Sequence, residues 1–257
     1  MLFFYYICAK QGRMDNLKNR RTIRKYQKKD VSTDLLNDLF ESAFRASTVG
    51  NMQTYSVIVT RDEERKAKLS PAHFNQPMVK EAPIVLTFCI DLRRFSKWCD
   101  QREAVPGYNN FEWFMTGAVD TLLAAQTFCV AAETRGLGIC YLGTTTYNPQ
   151  MIIDILELPK LVFPIATVTV GWPAENPAQV DRLPLEGIVH NEIYHDYTSK
   201  DIDRIYSYKE SLASNKQFII ENDKKTLAQV FTDVRYKKED SEAMSEILWQ
   251  AMKKQGF

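Results

Sequence analysis

The sequence FEWFMTGAVDTLLAAQTFCVAAETRG at residues 111–136 predicts one long helix that is apolar on most of its sides. Small residues such as Gly117 and Ala118 alternate there with large apolar ones, and Gly136 suits a left-handed cap after the helix. A helix that is apolar on most sides must be buried on most sides. The segment therefore predicts either the central helix of a monomeric core or a helix at the centre of a homodimer.

Strand-like runs lie on both sides of this helix along the chain. Residues 84–90 are continuously apolar, which is typical of a central strand covered on both faces. Residues 137–142 and 164–170 predict two strands after the helix, and the β-branched run at 55–60 predicts one before it. This order of strands and helices predicts an α/β (α+β) domain.

Shorter helices are predicted around the strands. Ser32 can cap a helix that carries Leu36 on its apolar face, and residues 62–69 form a short charged helix. Asn148 followed by Pro149 is typical of a capped helix start with proline in the first turn.

The composition limits the possible partners. The chain has 257 residues, of which 45% are hydrophobic and 25% charged, as in an ordinary globular protein. A net charge of +1 gives no electrostatic reason for a nucleic-acid partner. The apolar run at residues 2–7 is too short to span a bilayer and lacks the basic start and cleavage site of a signal peptide. We therefore predict no nucleic-acid and no membrane partner.

The cysteines and histidines favour neither a disulfide framework nor a metal site. The five cysteines form no CxxC pair, and the three histidines have no metal-ligand spacing with them. Cys89, Cys129 and Cys140 lie in apolar runs, which predicts buried thiols in a reducing cytoplasm.

The chain is predicted to have three parts. Residues 1–14 are predicted to be a leader that is either disordered or the result of a start codon assigned too early. The alternative is an ordered arm that packs on a partner subunit. Residues 15–197 form the main domain. Residues 198–257 are rich in Lys, Asp, Glu and Ser and predict a helical C-terminal extension.

A cluster of arginines is the main functional signal. Arg20, Arg21 and Arg24 stand within five residues of each other, and Arg182 follows far downstream. Guanidinium groups offer forked donors that suit phosphate oxygens. The small polar turn at residues 48–53 can offer backbone and amide groups to the edge of a ring. Together they predict a pocket for a phosphorylated planar ligand, namely FMN.

These residues, with the segments 141–144, 158–159, 171–177 and 182–184, resemble the nitroreductase family of flavin enzymes. The likeness is to the branch of oxygen-insensitive NADPH nitroreductase A and flavin reductase P, and it extends from about Asn19 to Tyr194. The resemblance implies a mixed central sheet flanked by helices, and a homodimer with FMN at the subunit interface.

The resemblance also implies roles for individual residues. Arg20, Arg21, Thr22 and Arg24 match the motif that holds the flavin phosphate and ribityl chain, and Arg182 joins them. The residues that it places along the isoalloxazine ring are Thr48, Asn51, Gln53, Gln76, Tyr141, Leu142, Gly143 and Thr144. An amide such as Gln76 can donate and accept at a ring edge, and Gly143 would allow a close backbone approach.

The sequence departs from the resembling branch at two places. Val180 stands where the branch often has a lysine. An arginine that contacts the extra phosphate of NADPH is missing before Ser214-Asn215, where the nearest bases are Lys209 and Lys216. We therefore leave the choice between NADPH and NADH open, with a modest preference for NADPH or none.

The function predicted from these observations is an FMN-dependent NAD(P)H oxidoreductase of the cytoplasm. Nitroaromatics, quinones or related small molecules would be its electron acceptors, and the flavin itself would carry the chemistry. The alternatives are a flavin reductase that supplies a partner, a flavin-binding module without turnover, and a phosphate-ligand protein that binds no flavin.

Overall fold

The computed structural model describes residues 17–257, so the predicted leader lies outside the described residues. The strands are Tyr55–Thr60 (β1), Ile84–Asp91 (β2), Gly138–Leu142 (β3) and Val162–Gly171 (β4). The α-helices are Thr33–Ala43 (α1), Glu63–Leu69 (α2), Pro77–Glu81 (α3), Arg93–Asp100 (α4), Phe111–Thr134 (α5), Pro149–Ile155 (α6), Ser199–Ser211 (α7), Ala213–Glu221 (α8), Leu227–Val230 (α9) and Lys238–Lys254 (α10). Short 3-10 turns cover Val49–Asn51, Ser70–His73, Gly143–Thr146 and Leu185–Gly187.

The four strands form one sheet in the order β1-β2-β4-β3. Every residue of β2 is buried, as its continuous apolar sequence predicted. The α/β fold class is confirmed, but the sheet differs in one respect from the expected mixed sheet. All pairings among the described strands are antiparallel, and β1 and β3 lie at the two edges.

The long helix α5 packs against the sheet. Asn110 caps its start by accepting a hydrogen bond from the backbone N–H of Trp113, and Gly136 follows its end with a φ of 80°. A Cβ built on Gly117 would lie 2.5 Å from Cγ2 of Ile90 on β2, so only glycine allows this approach. By length and composition the helix could also cross a membrane, but half of its most apolar window is buried in the protein. Its packing on β2 is that of a core helix.

One face of α5 is not covered by residues 17–257, the part of the chain that the structure describes. Its apolar side chains there are between 43% and 52% exposed, and they are Phe111, Met115, Val119, Leu122 and Leu123. The spacing of three or four residues places them on one side of the helix.

Local capping follows the sequence prediction. The hydroxyl of Ser32 accepts from the backbone N–H of Leu35 at 3.3 Å, and Leu36 is buried in the cluster beneath α1. Asp62 caps α2 in the same way, because its Oδ1 accepts from the backbone N–H of Arg65 at 2.8 Å.

The chain divides into two compact units. One comprises the described residues up to Ala178 together with Met244–Phe257, and the other is Gln179–Ala243. This grouping differs from the predicted division at 197/198. The terminal residues belong to the first unit because the amide of Gln255 donates to the carbonyl of Val162 at 2.9 Å and Phe257 packs on Phe114. The second unit is helical, with a capping box of Thr198 and Asp201 at the start of α7.

Candidate functional site

The arginine segment runs along the edge of the sheet at the start of β3. The backbone N–H of Ile23 donates to the carbonyl of Ile139 at 3.0 Å, and that of Gln27 donates to the carbonyl of Trp172 at 2.8 Å. Gly138 makes this contact possible, because a Cβ there would lie 2.6 Å from Cβ of Ile23. These backbone bonds fix Arg20 and Arg21 beside the beginning of β3.

A cleft of about 380 Å³ opens at this place and contains both arginines. Nε of Arg20 lies 3.2 Å from Oε1 of Glu133, and Nε of Arg21 is buried without a hydrogen-bond partner in the described part of the chain. Burial raises the pKa of Glu133, although the Arg20 guanidinium opposes that rise. Glu175 also lines the cleft. The cleft thus offers guanidinium donors to an anion. The carboxylates of Glu133 and Glu175 limit the negative charge that a bound anion can carry.

The other residues of the predicted phosphate motif lie differently. The side chain of Arg24 is exposed, and its backbone N–H donates to Oε1 of Glu175 at 2.6 Å. Thr22 is half-buried and does not line the cleft. Arg182 is exposed in the second unit, where it donates to the carbonyl of Asp181 at 2.8 Å. Its place beside Arg20 stays a prediction.

The polar turn at residues 48–53 is held by Asp120, a buried residue of α5. Oδ2 of Asp120 accepts from the hydroxyls of Thr48 at 2.5 Å and Thr54 at 2.8 Å, and Oδ1 accepts from the backbone N–H of Val49 at 3.1 Å. Sequence reasoning missed Asp120. A lone carboxylate within an otherwise apolar helix was the available signal, since a buried charge needs several hydrogen-bond donors.

The turn has an unusual backbone. Gly50, Asn51 and Gln53 all have φ between 48° and 56°, and this left-handed region is uncommon for residues other than glycine. The amide of Gln53 donates to Oδ1 of Asn51 at 2.6 Å, so the two predicted ring contacts are neighbours. Both line a cleft of about 730 Å³ with Phe44 and Arg94. Local backbone strain of this kind is typical of ligand-binding segments.

A second polar cluster lies at the other end of β3. Nε2 of Gln76 is 3.5 Å from Oγ1 of Thr144, and Nδ1 of His73 is 2.9 Å from the same oxygen. Gly143 beside it is exposed, and a Cβ built there would meet nothing within 4 Å. Sequence reasoning considered His73 only as a metal ligand and missed its contact with Thr144, which no local pattern could reveal.

Tyr141 and Leu142, the remaining predicted residues of β3, are expected to contact the ligand through their backbone atoms. The side chain of Leu142 is buried in the core, so only its main chain is available to a ligand. Tyr141 is partly buried, and burial raises the pKa of its hydroxyl. That the backbone at the end of the strand faces a ring stays a prediction.

The structure therefore brings most of the predicted flavin residues, but not Thr22, Arg24 or Arg182, together in three places. The arginine cleft and the Gln76–Thr144 cluster lie at the two ends of β3, whose five residues span roughly 13 Å at about 3.3 Å per residue. The turn lies against the middle of α5, and Asp120 and Glu133 are roughly 20 Å apart along that helix at about 1.5 Å per residue. Within the chain, the turn does not line the arginine cleft.

The predicted nicotinamide-phosphate residues lie in the second unit. Nζ of Lys209 is 2.8 Å from Oδ2 of Asp181, so its charge is already paired. Lys216 is exposed. Asn215 donates to the carbonyl of Lys209 at 2.7 Å, which joins α7 to α8.

The chemistry of these donors fits FMN. Arg21 has a buried N–H without a partner at one end of β3, which suits a phosphate oxygen. At the other end stand an amide, a hydroxyl and the open face of Gly143, which suit the edge of a ring that both donates and accepts. In the described part of the chain, no group of three or more His, Cys, Asp or Glu side chains could hold a metal ion.

Comparisons with known proteins agree with this assignment. The model of the nitroreductase family matches residues 17–172. The chain is 36% identical over 181 residues to the FMN reductase (NAD(P)H) of Bacillus subtilis (strain 168), covering 70% of this chain and 73% of the relative. It is 30% identical over 224 residues to the Cr(VI) reductase of Pseudomonas sp. (strain G-1), covering 85% and 91%.

Solved structures show the same fold. An oxidoreductase from Bacteroides fragilis NCTC 9343 superposes with a TM-score of 0.93 at 70% identity, covering 94% of this chain and 98% of that one. The NfrA1 nitroreductase of Bacillus subtilis gives a TM-score of 0.83 at 27% identity, covering 95% and 98%. The resemblance inferred from the sequence is confirmed, and the chain belongs to the nitroreductase family.

Proposed function

We propose that this chain is an FMN-dependent NAD(P)H oxidoreductase that reduces small acceptors such as nitroaromatics or quinones. The observation that carries the proposal is the pair of polar clusters at the two ends of β3, one suited to a phosphate and the other to a ring edge. Relatives named FMN reductase and Cr(VI) reductase act on different acceptors, so we propose a class of acceptors and not one compound.

The residues have distinct tasks in this proposal. Arg20, Arg21 and Arg182 hold the phosphate, with Thr22 and Arg24 along the ribityl chain. Gln76 and the backbone of residues 141–144 orient the ring. The two-electron chemistry is that of bound FMN, and the protein supplies position and electrostatics.

We propose further that the active form is a homodimer. The exposed apolar stripe of α5 continues into Val49, because a groove of about 430 Å³ is lined by Thr48, Val49, Met115 and Val119. A second copy packed on this stripe buries the turn at residues 48–53 in the interface. The turn of one subunit, with Asn51 and Gln53, then completes the flavin site at the interface.

The dimer is tested by Val119→Glu, which places a charge on the stripe. Light scattering is expected to give twice 29.7 kDa for the unaltered protein and 29.7 kDa for the variant. An unaltered protein that is monomeric at micromolar concentration contradicts the proposal.

The cofactor and the enzymatic activity are tested by spectroscopy. The purified protein is expected to be yellow, to release FMN rather than FAD, and to bleach under anaerobic conditions on addition of NADPH or NADH. A colourless protein that takes up no added FMN contradicts the proposal. A yellow protein that neither nicotinamide bleaches is instead a flavin-binding module without turnover.

A flavin reductase that supplies a partner is the second candidate. It uses the same site, and steady-state rates with free FMN against nitroaromatics and quinones distinguish it. We propose a cytoplasmic location, because Cys89, Cys129 and Cys140 are buried free thiols of the kind found in reducing compartments.

A further inference from the structure

His73 is a fully buried histidine that touches the proposed flavin site. It ends the 3-10 turn Ser70–His73, and its carbonyl accepts from the backbone N–H of Gln76 at 3.2 Å. Its ring lies with Nδ1 2.9 Å from Oγ1 of Thr144, while Nε2 is buried and has no hydrogen-bond partner in the part of the chain that the structure describes. A buried unpartnered ring nitrogen beside a ligand site needs an explanation.

The ring is neutral at physiological pH. Burial lowers the pKa of His73 to about 4, and no carboxylate among the described residues forms an ion pair with it. A neutral imidazole carries one N–H, which is either on Nδ1 or on Nε2.

The surroundings select the first tautomer. A proton on Nε2 would leave a buried donor without an acceptor, which is rare in proteins, whereas a bare acceptor nitrogen is better tolerated. With the proton on Nδ1, the ring donates to Oγ1 of Thr144. Nε2 of Gln76 also points a donor at that oxygen, at 3.5 Å.

Two donors occupy the acceptor capacity of the Thr144 hydroxyl. Its own proton then has no acceptor among the described residues and is free to point out of the cluster. Thr144 is partly exposed, and it borders the open face of Gly143.

We propose that His73 is a positioning residue that, as the Nδ1–H tautomer, makes the Thr144 hydroxyl a hydrogen-bond donor to bound flavin. This inference rests on the proposed function. Reduction adds electron density to the flavin ring, and hydrogen bonds to charged acceptors are stronger than neutral ones. The hydroxyl therefore stabilises the reduced ring more than the oxidised ring and raises the midpoint potential.

The test is the midpoint potential of the FMN-loaded protein, measured with its dissociation constant for FMN. His73→Leu removes the donor and is expected to shift the oxidation equilibrium about tenfold, which lowers the potential by about 30 mV for a two-electron couple. His73→Asn keeps an N–H near the position of Nδ1 and is expected to retain the potential of the unaltered protein. Equal potentials in the Leu and Asn variants overturn the proposal.

A second pair leaves the buried histidine untouched, so it tests the proposal even if His73→Leu does not fold. Thr144→Val is expected to lower the potential by the same amount and Thr144→Ser to preserve it. In His73→Leu/Thr144→Val the shift is expected to equal that of either single change. Additive shifts, or a Thr144→Val protein with an unchanged potential, overturn the proposal.

The outcomes distinguish a failure of the proposed function from a failure of the role proposed for His73. A protein that binds no FMN overturns the proposed function. A protein that binds FMN and is bleached by a nicotinamide, but whose potential is the same in all variants, overturns only the role of His73.

Discussion

The turn around Asp120 and the two ends of β3 differ in how their polar atoms are satisfied. Asp120 accepts hydrogen bonds from Thr48, Val49 and Thr54, so this buried carboxylate is fully used by the chain itself. At β3, by contrast, Nε of Arg21 is buried without a hydrogen-bond partner in the described residues. Buried polar atoms are almost always paired, so the unpaired N–H of Arg21 in the cleft suits an oxygen of a ligand. Asp120 therefore holds the site together, whereas Arg21 is available to bind a ligand.

The largest expected effect concerns the turn around Asp120, whose carboxylate already has its hydrogen-bond partners. Asp120→Ala removes the acceptor of three donors, of which the Thr54 hydroxyl is buried and the other two are partly buried, and a buried donor without an acceptor costs about 1–3 kcal/mol. We expect the free energy of unfolding to fall by about 3 kcal/mol or more in chemical denaturation. Glu41→Ala, at an exposed acidic position of α1, is the control and should change it by about 0.5 kcal/mol or less. An Asp120→Ala protein as stable as the control removes the distinction between the two regions.

The next effect concerns the binding region. Arg20→Ala and Arg182→Ala should each weaken FMN binding by about 1.5–3 kcal/mol, which is roughly ten- to a hundred-fold in dissociation constant. Arg135→Ala is the control, because Arg135 forms an exposed pair with Asp38. Fluorescence titration with FMN measures all three. If only Arg182→Ala is without effect, the second unit does not take part in the phosphate site.

A smaller effect is expected from a change at Gly138, which allows the arginine segment to lie close to β3. A methyl group at Gly138 would overlap the side chain of Ile23, and overpacking typically costs about 1–3 kcal/mol. Gly138→Ala is therefore expected to lower the thermal stability and to weaken FMN binding together. Gly107→Ala, where a Cβ would meet nothing within 4 Å, should do neither. Normal FMN affinity in a destabilised Gly138→Ala protein would show that the segment can move without loss of binding.

The smallest effect concerns the choice of nicotinamide. Lys209 is paired with Asp181, and exposed lysine contacts to a phosphate contribute only about 0–1 kcal/mol, at most roughly five-fold in selectivity. The ratio of kcat/KM for NADPH over NADH should lie in this range and fall with salt. Asp181→Asn frees Lys209 and should raise the ratio slightly. A hundred-fold preference that survives high salt requires a dedicated phosphate pocket.

Most of the helices and strands, and the family, could be predicted from the amino-acid sequence. The strand β2, the helix α5 with its glycine cap, and the cap at Ser32 follow from side-chain periodicity and capping, which act between residues a few positions apart. The motifs from Arg20 to Arg182 were enough to identify the nitroreductase resemblance, because short segments in a fixed order carry it.

The contacts that build the site could not be predicted and depend on the folded structure. Asp120 meets Thr48, and His73 meets Thr144, across about 70 positions of chain, and no local pattern encodes such contacts. Packing also assigned residues 244–257 to the first unit, although the sequence prediction placed them in the helical extension that begins at residue 198. Local propensity fixes which residues form a helix or strand, whereas the pairing of buried polar groups depends on which distant segments the sheet brings together.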